Sequence, residues 1–231
     1  VVSPLRRLPR LEIFDDPEAM ARHAAEIFRE ISPKKVVLTG GETPKRSYEL
    51  ISQLDMPWHE IDLFLSDERF VPLHDDRSNE KMVREALGGR VHEARLHGFS
   101  REAGPEESAE MYGKEVTGHL PFDLTFMGLG EDGHTASLFP SDQQHGRRDV
   151  MAFAYRPDRQ GPWRTTLSLA ALDRSSVMVF LVAGQEKADA LRILMEGGDI
   201  PAAKVQPEGN LLILSDRAAA RGVLSPGRGR V

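Results

Sequence analysis

Phe122-Asp-Leu-Thr-Phe-Met-Gly-Leu-Gly-Glu-Asp-Gly-His-Thr-Ala-Ser-Leu-Phe-Pro140 is the stretch from which the fold is read. An apolar, largely β-favouring run from Phe122 to Met127 passes into a turn carrying Gly128, Gly130 and Gly133, and an apolar helical pattern starts just after it. The pattern predicts strand, glycine-rich turn, then helix. Glycines let the backbone turn sharply and approach a ligand, and a helix behind them aims unpaired N–H groups at the same place. Such a turn receives an anion. Asp132 and His134, two residues apart, add an acid and a group that takes a proton. The same glycine spacing matches the dinucleotide fingerprint, but it comes late in the chain and no acidic residue closes a strand about 20 residues on, so a nucleotide cofactor is not expected.

The 231 residues, 40% of them hydrophobic, suffice for a substantial core. They fit one α/β domain spanning residues 1–231, or two lobes that share a sheet. A net charge of -6, a pI near 5.8 and the lack of any basic block argue against a nucleic-acid partner. The absence of cysteine excludes disulfides, thiolate catalysis and cysteine-ligated zinc, and sits with a reducing cytoplasm. The longest purely apolar run, Val177 to Ala183, is too short to cross a bilayer, and the arginines near the start are followed by no apolar segment of a signal peptide. A cytoplasmic protein without a membrane partner is expected.

Toward the amino terminus, a lead-in ends in a strand, Leu11 to Phe14, and Asp16-Pro17 supplies the cap and first turn of a helix whose Met20, Ala24, Ile27, Phe28 and Ile31 share one face. Val36-Val-Leu-Thr-Gly-Gly-Glu-Thr-Pro44 reads as a buried strand, a diglycine turn, and Thr43-Pro44 as cap and first helical residue. Thr39 and Thr43 flank Gly40 and Gly41, whose N–H groups suit a phosphate; an ordinary strand-to-helix turn fits the same spacing. Ile61-Asp-Leu-Phe-Leu-Ser-Asp67 alternates into a strand ending in Asp67-Glu68-Arg69. Ligands of open α/β sheets sit at the carboxyl ends of strands, so Arg69 is a candidate anion contact, whereas Asp67 and Glu68 taken singly read as a solvated turn. Ser78-Asn79 opens a helix, and Asn79 is placed to reach back to the site.

Further on, Leu96 to Phe99 is a predicted strand and Pro105-Glu106-Glu107 opens a helix. Gln143 to Arg148 reads as a surface loop, Met151 to Tyr155 as a strand, and Arg156 to Pro162 as a loop at the edge of the site. Trp163 to Leu169 alternates as a strand with Arg164 at its start, and Ser175 to Ala183 is the most hydrophobic strand. Gly184-Gln-Glu-Lys187 leads into a helix through Ala188, Leu191 and Leu194. A cation in a first turn opposes the helix dipole, so Lys187 needs an anion, either a ligand or Glu186. Asn210 to Leu214 reads as a strand, Ser215 to Ala220 as a short helix, and Ser225 to Val231 as a disordered tail. Strands alternating with helices give an α/β sheet with substantial parallel pairing, and its anion-friendly turns converge at one end.

Six of these segments together resemble the 6-phosphogluconolactonase family, within the glucosamine-6-phosphate deaminase/6-phosphogluconolactonase group. They are Thr39-Gly-Gly-Glu-Thr-Pro44, Ser66-Asp-Glu-Arg-Phe-Val-Pro72 with Ser78-Asn79, the run Gly128 to Pro140, Arg164-Thr-Thr-Leu-Ser-Leu169, Gly184-Gln-Glu-Lys187-Ala188 and Ile200-Pro-Ala202. The resemblance implies a Rossmann-like α/β fold, a mostly parallel sheet flanked by helices with a smaller sheet elaboration, shared with ribose-5-phosphate isomerase and glucosamine-6-phosphate deaminase. It implies hydrolysis of 6-phospho-D-glucono-1,5-lactone in the oxidative pentose phosphate pathway. On that reading His134 is the general base and Asp132 orients or polarises the water. Arg69 and Lys187 bind charged or carbonyl oxygens and stabilise the oxyanion. Thr39, Gly40, Gly41 and Thr43 hold the phosphate with Arg164, and Asn79 and Gly130 adjoin the substrate. No cofactor is implied, and no metal, since spacing suggests no third ligand beside Asp132 and His134.

Departures from the family pattern are Thr39 where serine is more familiar, Asp173 where asparagine is expected and Ala203 where a small polar residue is expected. If Asp173 faced the ligand, its charge would oppose an anion. Two other functions compete. An amino-sugar-phosphate deaminase or isomerase would use the same phosphate loop, but after its Gly-His that group resembles Ile-Ala-Phe-Asn rather than Thr135-Ala-Ser-Leu-Phe-Pro140. A non-catalytic sugar-phosphate-binding module would not need Asp132, His134, Arg69 and Lys187 together.

Overall fold

The computed structural model describes residues 9–157 and 161–224, so the expected disorder of Ser225 to Val231 and the middle of the 156–162 loop lie outside the described residues. The first half of the chain runs β1 (Arg10–Phe14), α1 (Pro17–Ile31), β2 (Lys35–Leu38), α2 (Glu42–Ile51), β3 (Asp62–Leu65), β4 (Asp67–Arg69), α3 (Asn79–Leu87), α4 (Arg90–Glu93), β5 (Arg95–His97) and α5 (Pro105–Thr117). The second half runs β6 (Phe122–Gly128), β7 (Ala152–Tyr155), β8 (Arg164–Leu167), α6 (Leu169–Leu172), β9 (Ser175–Val182), α7 (Ala188–Glu196), β10 (Asn210–Asp216) and α8 (Arg217–Leu224).

Seven strands form one sheet in the order β1-β10-β9-β6-β2-β3-β5, every pair parallel. Its central strands are apolar because helices cover both faces: Leu124, Phe126, Met127, Val179 and Phe180 are all fully buried. Chain order runs outward one way through β2, β3 and β5, then returns to β6 and runs the other way through β9 and β10. The reversal falls between β2 and β6, which is where open α/β sheets leave a crevice. A second, antiparallel sheet, β4-β8-β7, stands beside it.

The expected strand from Ile61 to Asp67 divides at Ser66. Ser66 donates its N–H to Leu38 in the large sheet, while its carbonyl accepts from Leu167 in the small one. Continuous burial from Leu63 to Glu68 permits this, because the chain passes between two layers and never reaches solvent. Asp67 and Glu68 are therefore not in a solvated turn; they are 5% and 2% exposed. Glu68 accepts from the N–H groups of Arg69, Asn79 and Glu80 and from the Ser78 hydroxyl, and it pairs with Arg101 at 2.9 Å. Two of those N–H groups open α3, so a strand carboxylate caps the helix and fixes its angle to β4. Burial pushes the Glu68 carboxyl upward, against the pull of those donors.

Two other expectations shift. The helix after β2 begins at Glu42 with Gly41 as its cap at φ +109°, so Thr43 lies inside the first turn. No α-helix follows β6 before β7 either. Residues 134–142 form turns, with an isolated bridge between Thr135 and Leu138 and a positive φ at Ala136. Pro140 disfavours helical backbone at Phe139, and burial of Leu138 overrides the apolar spacing.

Where a parallel strand ends inside the protein, its last N–H and C=O need partners. Tyr112 of α5 supplies both for Leu65, its hydroxyl accepting from the N–H at 2.8 Å and donating to the carbonyl at 2.9 Å. Tyr48 of α2 does the same for Thr39, just beyond β2. Both rings are buried, and burial pushes both phenols up. Tyr112→Phe is expected to lower stability by about 1–3 kcal/mol through the orphaned Leu65 groups, read from urea unfolding. Glu68→Ala, which leaves three N–H groups without their acceptor and Arg101 with Glu80 as its remaining carboxylate, is expected to cost about 2–4 kcal/mol in the same measurement. A loss below about 0.5 kcal/mol would show that water replaces the carboxylate there.

Candidate active site

Four adjacent strands, β9, β6, β2 and β3, deliver their following turns to one cleft of about 330 Å³ at the carboxyl edge of the large sheet. Thr39, Gly40, Gly41 and Thr43 come from the turn after β2, Asp67 and Arg69 from β4, Gly130 and His134 from the turn after β6, and Lys187 from the turn after β9. Asn79, at the start of α3, completes this wall. Ten of the eleven expected site residues thus meet in and around one space; of these, Asp132 lies behind His134 rather than on the wall. Arg164 is also not on the wall, but it stands directly opposite Arg69 across the β4–β8 pair.

His134 is held from one side. Its Nδ1 lies 2.6 Å from Asp132 Oδ1, and its own N–H donates to the same oxygen at 3.1 Å. The carboxylate therefore fixes Nδ1 as the protonated atom and leaves Nε2 with a lone pair and no partner among the described residues. Burial alone would raise the Asp132 carboxyl, but the backbone and ring of His134 outweigh it and hold it below its ordinary value. Phe139 packs on the imidazole with centroids 4.4 Å apart. Gly130 is the residue that makes room: a Cβ there would overlap the His134 ring. Its N–H donates to the His134 carbonyl at 2.8 Å and its carbonyl accepts from Gly133. The N–H groups of Gly130, Gly133 and His134 are thus spent within the turn, and no α-helix follows to offer an anion-receiving row.

The far end of the loop is fastened to the small sheet through Ser137. Its hydroxyl donates to Asp67 of β4 at 2.7 Å, its N–H to Thr166 of β8 at 3.3 Å, and its carbonyl accepts from Tyr155 of β7. Every polar atom of one fully buried serine is used, each by a different strand. Sequence reading passed over Ser137 because a serine between alanine and leucine carries no periodicity signal. Asp67 escaped for a different reason: its partners lie far away in the chain or are simple hydroxyls.

Arg69, on the cleft wall, and Arg164, beside it on β8, form a positive pair. Arg69 donates one Nη1 bond to the Arg77 carbonyl at 2.8 Å, and Arg164 lies over Phe139 at 5.8 Å. Neither has an ion-pair partner among the described residues, and the Nε atoms of both are buried without a hydrogen bond. Burial and the neighbouring Arg69 push the Arg164 guanidinium down from its usual value. Two like charges side by side with unused donors define a place for an anion. Lys187 has only a long contact, 3.8 Å, to the exposed Glu131, so neither that carboxylate nor Glu186 neutralises it closely. Gly40 has no room for a side chain because Asn79 lies against it, and Asn79 Nδ2 donates to the Asp67 carbonyl at 2.9 Å. The hydroxyls of Thr39 and Thr43 make no hydrogen bond among the described residues.

Asp173 does not face the cleft. Its carboxylate, directly after α6, accepts from Gln206 N–H at 2.6 Å and pairs with Arg148 of the segment between β6 and β7, so it opposes no ligand. Ala203 is buried in the short turn Pro201–Lys204, beside Ala202, whose N–H donates to the Gly133 carbonyl.

The family model described as glucosamine-6-phosphate isomerases/6-phosphogluconolactonase matches residues 17–214. A 6-phosphogluconolactonase from Synechocystis sp. is 38% identical over 199 residues, which cover 80% of this chain and 82% of that protein. The crystal structure of 6-phosphogluconolactonase from Thermotoga maritima superposes with a TM-score of 0.82 at 29% identity, covering 90% of this chain and all of that one. A monomeric glucosamine-6-phosphate deaminase shares the fold, with a TM-score of 0.81 at 19% identity over 92% of this chain and 99% of its own. With residues 17–214 matched by the family model and most of a 38% identical relative covered, the chain belongs to the glucosamine-6-phosphate isomerase/6-phosphogluconolactonase family.

Proposed function

We propose that this cleft hydrolyses 6-phospho-D-glucono-1,5-lactone to 6-phospho-D-gluconate, the lactone-opening step of the oxidative pentose phosphate pathway. The observation that carries the reading is a pairing across one cleft. An imidazole with a free Nε2, held by Asp132, faces the same space as Arg69, beside which stands Arg164, and neither arginine has an ion-pair partner among the described residues. Family membership and the Synechocystis relative's name support the same substrate.

In the proposed mechanism a water beside His134 gives a proton to Nε2 as its oxygen bonds to lactone C1. The carbonyl oxygen takes the negative charge, and Lys187 balances it. The bond from C1 to the ring oxygen then breaks, and that oxygen takes the proton back from the imidazolium. The acid formed ionises and releases one proton. Asp132 keeps the imidazole in the tautomer that can accept, and stabilises its charged form. At the other end, Arg69 and Arg164 with the turn Thr39-Gly40-Gly41 and Thr43 grip the phosphate dianion, for which a doubled positive charge is suited. Asn79 and Gly130 serve by packing, one behind the diglycine turn and one under the imidazole. Binding the charged end fixes the carbonyl near the water, which is where orientation contributes to the rate.

Proton release from freshly generated lactone, compared with buffer alone, tests the reading. The protein is expected to accelerate opening, and His134→Ala to lose about 10²–10⁴-fold of kcat while still binding 6-phosphogluconate. Arg164→Ala is expected to raise KM about tenfold or more with a smaller effect on kcat, since a charged hydrogen bond to the phosphate contributes roughly 1.5–3 kcal/mol. A protein that matches buffer yet binds 6-phosphogluconate would be a sensor, and the role given to His134 would be wrong.

A further inference from the structure

Asp62 opens β3 at the end of that strand opposite the cleft, and beside it stand His97 of the edge strand β5 and His119 of the segment between α5 and β6. One donor atom from each of the three lies within 4.8 Å of the other two. The histidines are oriented from outside. His97 Nδ1 lies 2.6 Å from the Glu115 carboxylate, and His119 Nδ1 lies 2.9 Å from the Glu115 backbone carbonyl. A carbonyl only accepts, so His119 carries its proton on Nδ1 and keeps its lone pair on Nε2. The Glu115 carboxylate sets the same tautomer in His97. Its Nε2 lone pair then faces Asp62 Oδ1 at 2.8 Å, acceptor against acceptor, unless a cation lies between them.

A proton would serve those two atoms. It would leave unexplained the third donor and the matched outer partners on both imidazoles. A carboxylate or a backbone carbonyl on the far nitrogen is the arrangement that metal-ligating histidines have. Phe64 holds both rings, stacked on His97 at 4.5 Å and against His119 at 5.1 Å, and is itself fully buried. Arg95 grips both oxygens of Asp62, at 2.7 and 2.8 Å, and each oxygen keeps a further lone pair. We propose that Asp62, His97 and His119 form a binding site for a divalent ion of the zinc type, separate from the cleft. Two imidazoles and one carboxylate suit zinc in a tetrahedral site with its fourth position open to water. Such an ion joins β3, the edge strand β5 and the lead into β6, so its effect is on stability. The guanidinium of Arg95 makes the site weaker than a fully protein-ligated structural site.

The test uses the full chain stripped of metal, titrated with Zn²⁺ by calorimetry and with Co²⁺ by visible absorption. The expected result is one ion per chain, a higher melting temperature with Zn²⁺, and the intense visible bands of tetrahedral Co²⁺. His119→Ala and Asp62→Asn are each expected to abolish all three, and His134→Ala to keep them, which separates this site from the Asp132–His134 pair. Circular dichroism of each variant without metal shows that it is folded, and should one variant not fold, the other decides. Absence of binding to the parent chain overturns the proposal and leaves a proton between His97 and Asp62. Binding that survives both His119→Ala and Asp62→Asn, or that is lost with His134→Ala, overturns it as well.

Discussion

A parallel sheet that ends inside a protein must find partners for the backbone groups its strands leave over. In this chain four adjacent strands end that way, and a different side chain closes each. Tyr48 serves the residue after β2, Tyr112 the last residue of β3, the Thr135 hydroxyl the Gly128 carbonyl at the end of β6, and Asp216 the Gly184 N–H beyond β9. Because those groups are satisfied from two helices, a turn and the neighbouring strand β10, the residues that follow are free to point into the crevice. The cleft is the space left once the strand ends have been closed.

The small sheet has a second use beyond carrying Arg69 and Arg164. Through Ser137 it holds the loop that begins at the end of β6, and through Phe139 that loop touches both the His134 imidazole and the Arg164 guanidinium. The proposed proton acceptor and half of the proposed anion grip therefore share one aromatic neighbour. The antiparallel elaboration sets distances in a site whose principal turns belong to the parallel sheet.

Sequence patterns carried the alternation of strands and helices, and the glycine turns marked the ends of β2, β6 and β9, because glycine, proline and apolar periodicity act locally. The readings that shifted were decided by distant partners. The run from Ile61 to Asp67 reads as one strand, yet Ser66 bonds to Leu38 on one side and Leu167 on the other, and no local pattern announces a second layer. Glu68 reads as a solvated acid, because the helix it caps starts eleven residues later and Arg101 lies further still. The segment after His134 reads as a helix because its apolar spacing is right, but Ser137 spends its backbone groups on the small sheet. At Gly130 the glycine was legible and its reason was not: the room it leaves is taken by the imidazole.

The loop between β6 and Ser137 also acts as a gauge. One end is fixed to the large sheet at Gly128 and the other to the small sheet at Ser137, while the direct junction between the sheets is the single residue Ser66. The span from the arginine pair to His134 is therefore set by a length of covalent chain, which stretches far less than a packed interface yields. On the proposed reading a ligand is measured along that span, so insertions or deletions between residues 128 and 137 would change which ligand length the cleft accepts.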